Sequence, residues 1–110
     1  MAKLERTLTG NFSDVLHRLD QAVLNGSMSA SREDCSDFTI GPVRVAVRMY
    51  ERYSALGGNR VAMCVTLAGE GNRLHLTAIT AGGSQAMFFK MNTFGEEAFL
   101  DTLARVVDTL

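Results

Sequence analysis

Two arginines in one alternating run, Val43-Arg44-Val45-Ala46-Val47-Arg48-Met49-Tyr50, are the residues of this chain best suited to chemistry. A guanidinium presents a forked set of donors that matches a carboxylate or a phosphate, and strand alternation puts Arg44, Arg48 and Tyr50 on one side. Cys64, Thr66, His75 and Thr77 occupy the corresponding positions of two later runs, and with Phe88 they complete a candidate ligand or partner face. Its chemistry would be recognition of an anionic or polar group, with Arg48 as the forked donor beside the threonine hydroxyls. The plainer reading is a solvated sheet face laced with ion pairs, which contribute little to a fold.

Other reactive groups are sparse. His17 and His75 have no second ligand at metal spacing, and Cys35 and Cys64 are equally isolated, so neither a metal nor another cofactor is expected. Cys64 and His75 share a side of one hairpin but lie diagonally across it with nothing to orient the imidazole, so the reading leans away from an enzyme and assigns no catalytic residue. Gly57-Gly58-Asn59-Arg60 and Gly82-Gly83-Ser84-Gln85 resemble anion nests only loosely and suit turns or a bulge better. Glu96 fits a capping box begun by Thr93 and needs no role as a general acid.

The elements that must position these residues can be traced along the chain. Lys3 to Leu8 predicts a strand, Phe12, Leu16, Leu19 and Val23 a helix capped by Asn11 or Ser13, and Gly26 a left-handed end to that helix. Val43, Val45, Val47 and Met49 alternate with Arg44, Ala46, Arg48 and Tyr50. Val61, Met63, Val65 and Leu67 alternate with Ala62, Cys64, Thr66 and Ala68, and Leu74, Leu76 and Ala78 do so with His75, Thr77 and Ile79. The first-named residues of each set are expected to share one apolar face. Ala86 to Met91 reads as a last short strand, and Phe99, Leu103, Val106 and Leu110 as the buried stripe of a closing helix.

Pairing follows from the turns. Gly71-Asn72 suits a two-residue hairpin loop, which sets Glu70 opposite Arg73, Ala68 opposite His75, Thr66 opposite Thr77 and Cys64 opposite Ile79. A tight turn at Gly41-Pro42 sets Thr39 opposite Arg44, Asp37 opposite Ala46 and Cys35 opposite Arg48. Keeping Met63 on the face of Met49 then calls for Tyr50 opposite Cys64 and Arg48 opposite Thr66.

The expected fold is a single α+β domain over residues 1–110, a curved antiparallel sheet in the order β-α-β-β-β-β(-β)-α with both helices on one face. With 11 basic and 12 acidic residues the formal charge is -1, so no long-range field recruits nucleic acid or an anionic membrane. No apolar stretch reaches the length of a membrane span, and the N-terminus has no secretory signal pattern, so a cytoplasmic protein is expected. The separated cysteines read as reduced thiols.

The element order resembles the TATA-binding-protein-like and helix-grip architecture. The strings Val47-Arg48-Met49-Tyr50-Glu51-Arg52-Tyr53-Ser54, Gly57-Gly58-Asn59-Arg60, Gly82-Gly83-Ser84-Gln85-Ala86-Met87-Phe88-Phe89-Lys90 and Asn92-Thr93-Phe94-Gly95-Glu96-Glu97 resemble a family of small bacterial proteins of unknown function over nearly the whole chain. That resemblance implies no activity, cofactor or catalytic residue. The functional expectation is therefore a non-enzymatic homo-oligomer, such as a homodimer, or a binding module that uses the sheet face or an edge strand. The alternative is a binder of a small molecule or anion, with a helix-grip pocket lined by Met49, Met63, Phe89 and Phe99.

Overall fold

A computed structural model describes residues 1–53, 60–82 and 89–110, with side chains of the last helix from Glu96 onward. The elements run β1 (Ala2–Thr9), α1 (Phe12–Asn25), β2 (Ser31–Ile40), β3 (Val43–Tyr53), β4 (Arg60–Glu70), β5 (Arg73–Gly82) and α2 (Phe89–Val107). The strands form one antiparallel five-stranded sheet in the order β1-β5-β4-β3-β2, and the expected α+β class and element order hold. No helix among the described residues is long and apolar enough to cross a membrane.

Both tight hairpins have the registers their turns require. Gly71 and Gly41 take positive φ, 61° and 57°, which lets each chain reverse in two residues. Thr66 faces Thr77 and Cys64 faces Ile79 in the β4–β5 ladder, and Cys35 faces Arg48 in the β2–β3 ladder. β2 carries a bulge between Arg32 and Asp34.

The core lies between the sheet and the helices. Phe12, Val15, Leu19 and Val23 of α1 and Phe99, Leu100, Leu103 and Val107 of α2 bury against Val61, Met63, Val65 and Leu67 of β4 and Leu74, Leu76 and Ala78 of β5. Asn11 caps α1 by accepting from the Asp14 amide at 3.0 Å. Gly26 ends α1 in right-handed geometry, φ -77°, and not in the expected left-handed one. Its side-chain-free surface is needed for another reason: a Cβ there would lie 2.5 Å from Thr102 Cγ2 of α2.

Three further expectations are corrected. The pairing of β3 with β4 is Tyr50 opposite Met63, Arg48 opposite Val65 and Met49 opposite Cys64, one residue away from the expected register. Because side chains alternate, that single step turns the whole of β3 over. Ala46 and Tyr50 face the helices and are buried, while Val43, Val45, Val47 and Met49 face away. The segment Phe89 to Met91 is the first turn of α2 and not a strand, so Thr93 and Glu96 lie inside the helix and form no capping box. Glu96 is instead buried against β5, where Oε1 accepts from the Gly82 amide at 2.8 Å. Its Oε2 lies 2.8 Å from the Met1 ammonium, an ion pair without hydrogen-bond geometry.

Candidate functional site

The sheet divides the expected face into two groups. Arg44, Arg48 and Tyr50 lie on the helix side of β3, whereas Cys64, Thr66, His75 and Thr77 lie on the open side of β4 and β5. The row expected to run Cys35, Arg48, Thr66, Thr77 is therefore broken between Arg48 and Thr66. Phe88 lies outside the described residues.

On the helix side the polar residues close over the edge of α1. Asp20 accepts from the Tyr50 hydroxyl at 2.7 Å and from Arg32 Nη1 at 3.0 Å, so its carboxylate joins α1, β3 and β2. Burial, and after it the hydrogen bond to Asp20, pushes the Tyr50 phenol well above its ordinary pKa. Arg48 donates to Asp37 Oδ1 and to the Val47 carbonyl, both at 3.1 Å, and its side chain is only 11% exposed. Arg44 donates to the Ser13 hydroxyl at 2.9 Å, and its guanidinium rests 4.3 Å from the centre of the Phe12 ring. Arg52 lies over Phe99 in the same manner at 4.6 Å, and burial lowers its pKa. Aliphatic stems of arginine thus supply apolar cover over β3 that the valines were expected to supply. A cleft of about 220 Å³ opens among Ser13, Leu16, His17, Asp20, Arg32, Arg44 and Arg48.

The open side has a different composition. Phe38, Ile40, Met49 and Ile79 are exposed there, and Val43, Val45 and Val47 are half-buried with no helix above them. Its charges lie at the borders. Lys3, Glu5 and His75 make one linked group beside β1, with Glu5 Oε1 3.2 Å from Lys3 and Oε2 3.2 Å from His75. The hydrogen bond from Lys3, then that from His75, lowers the Glu5 pKa. Glu51 pairs with Arg60 at the far end of β3 and β4, and Arg60 also lies over the Tyr53 ring. Cys64 and His75 are four positions apart along the ladder, because Cys64 faces Ile79 and His75 faces Ala68. That is roughly 13 Å of strand, too far for a nucleophile and its base.

Sequence reasoning missed Ser13, Asp20 and Arg32 on the first side and Phe38 and Ile40 on the second. A signal existed for the latter pair: the β2–β3 hairpin register sets Phe38 opposite Val45 and Ile40 opposite Val43, so wherever the valines go these residues follow. No local pattern marks Asp20, whose partners stand 12 and 30 residues further on.

Fold and surfaces together define a small α+β protein whose two helices cover one side of an antiparallel sheet and leave the other bare. Among its described residues no group of histidine, cysteine or carboxylate side chains is placed to hold a metal. The chain belongs to the family described as "Family of unknown function (DUF6054)", which it matches over residues 1–110. No curated protein matches it in sequence.

Proposed function

We propose that this protein is a non-enzymatic homo-oligomeric module that pairs with a second copy of itself through the open sheet face, most simply as a homodimer. The observation that carries the reading is the direction of β3, which turns Val43, Val45, Val47 and Met49 away from both helices. A largely uncharged centre bordered by charges is how a protein interface is built, and several of the border charges here, Lys3, Glu5, Glu51 and Arg60, are already paired internally. Five strands at about 4.8 Å and about eight residues at 3.4 Å cover roughly 650 Å² per subunit, near the ~800 Å² per partner of a stable interface. A two-fold axis through the valine rows would give an aligned sheet sandwich about 10 Å thick.

Pairing by the β2 edge has less support. That strand carries Glu33, Asp34 and Asp37 and a bulge, features that discourage edge-to-edge addition. The pocket between sheet and helix is also less favoured. Met49 stands on the opposite side of the sheet from Met63, and Met63, Phe99 and Leu103 are each 0% exposed in a filled layer. Two free cysteines fit a reducing cytoplasm, and the resemblance to a family of small bacterial proteins fits a bacterial one. The strand order is compatible with a TATA-binding-protein-like or helix-grip topology, a likeness that brings no ligand with it.

Sedimentation equilibrium of the wild type against Val47→Lys tests the proposal. Wild type should sediment as an oligomer at micromolar concentration. The variant should be a monomer with its helix content unchanged, because the lysine replaces a side chain that its own subunit leaves uncovered. A monomeric wild type, or an oligomer that survives Val47→Lys, would remove the open face as the interface.

A further inference from the structure

We propose that the cleft between α1 and the β2–β3 hairpin binds a small oxyanion, and that Arg44 and Arg48 are its principal contacts. Cationic groups outnumber anionic ones at this place: Arg32, Arg44 and Arg48 line it or reach into it, against Asp20 and Asp37. Both carboxylates are engaged, Asp20 by Tyr50 and Arg32, and Asp37 by Arg48. Arg44 has no carboxylate within ion-pair distance among the described residues. It is nevertheless held in place, by the Ser13 hydroxyl at one nitrogen and the Phe12 ring beneath its plane. A positioned guanidinium with donors left over is the arrangement that recognises carboxylates and phosphates.

Rigidity and size narrow the ligand. Arg48 is largely buried on an internal strand, and the opposite wall is a helix running from Ser13 to Asp20, roughly 10 Å of wall. A volume of about 220 Å³ is below the ~300 Å³ at which drug-sized pockets begin, so the occupant is a compact anion and not a nucleotide or a peptide. A phosphate ester or pyrophosphate and a short dicarboxylate share the required chemistry. His17 and Ser13 add a ring nitrogen and a hydroxyl to the donors of the wall. The cleft lies on the helix side, so its occupation is independent of pairing through the open face.

Isothermal titration calorimetry of the full chain with inorganic pyrophosphate and, separately, with succinate tests this. Saturable binding of one anion per chain is expected for at least one probe, and the probe that binds tells phosphate from carboxylate. Arg44→Gln, an exposed change that leaves the fold in place, should weaken binding at least tenfold. Arg48→Lys should also weaken it, since a lysine keeps the charge and loses the fork. Arg73→Gln, on the β4–β5 hairpin, should bind as wild type. Absence of saturable binding of both probes at millimolar concentration would overturn the proposal, as would equal loss in Arg44→Gln and Arg73→Gln.

Discussion

Asp20 is the residue through which α1, β2 and β3 are joined, and its contacts show what a single carboxylate can do when partly buried. Tyr50 brings a hydroxyl to it from β3 and Arg32 a guanidinium from β2. Removing the hydroxyl in Tyr50→Phe leaves Asp20 with Arg32 alone. The expected cost is about 1.5 kcal/mol, the lower end for a hydrogen bond to a charged acceptor, read from urea unfolding at neutral pH. The pH dependence has a definite sign. The folded state holds the Tyr50 phenol protonated above its ordinary value, so this stabilisation is complete below pH 10 and declines as the pH rises beyond it, where the unfolded phenol ionises first. Wild type should therefore lose more stability between pH 9.5 and about 11 than Tyr50→Phe does. Equal losses in the two proteins would separate Tyr50 from the alkaline transition.

At the scale of elements, the contact between the two helices depends on a glycine for reasons of space. Gly26 has a right-handed conformation that any residue can adopt, but an added Cβ would meet Thr102 Cγ2 at 2.5 Å and the Ala22 carbonyl oxygen at 2.9 Å. Gly26→Ala should then cost on the order of 1–3 kcal/mol by overpacking. Adding Thr102→Ser, which removes the obstructing methyl and keeps a hydroxyl for the Ala98 carbonyl, should recover most of the loss. A loss that Thr102→Ser fails to relieve would point to the backbone and not to helix contact. Of the stripe expected for α2, Phe99 and Leu103 are fully buried, but Val106 is only half-buried and Leu110 lies exposed beyond the helix end, the buried positions being completed by Leu100 and Val107. Truncating Phe99 or Leu103 to alanine should lower stability by about 3 kcal/mol, the usual consequence of a core cavity, and near-neutral midpoints would contradict the helix orientation.

For the whole molecule, the two cysteines report on both sides of the sheet. Cys35 lies opposite Arg48 on β2 and Cys64 opposite Met49 on β4, with β3 between the two strands and the sheet plane between the two side chains. Two strand spacings amount to roughly 9.6 Å, beyond disulfide reach, so mass spectrometry under non-reducing conditions should find both thiols free within one chain. Pairing through the open face adds a second expectation. Cys64 should react with a maleimide much more slowly than Cys35 in the wild type and should speed up in Val47→Lys, because only Cys64 lies under the proposed interface. Unchanged Cys64 reactivity in that variant would count against the face as the site of contact.

The sequence by itself determined the order of elements and the two hairpin registers, though it read the start of α2 as a strand. Local physics suffices for these: Asn11 caps its own helix, and Gly41 and Gly71 fix which residues of adjoining strands meet. Alternation also showed that β3 is amphipathic, with valines on one side and arginines on the other. It did not show which side the helices cover, because a period of two has no sign, and the connection of 54–59 between β3 and β4 is too long for its turn chemistry to set register. Only the tertiary structure decided that. The pairing of Tyr50 with Met63 carries the arginines toward α1 and leaves the valines bare. Asp20, Phe12 and Ser13 then receive Tyr50 and Arg44, so the layer closes over polar tips and aliphatic stems. One step of register thus separated the arginines from Thr66, His75 and Thr77, and put an apolar surface where a polar one was expected.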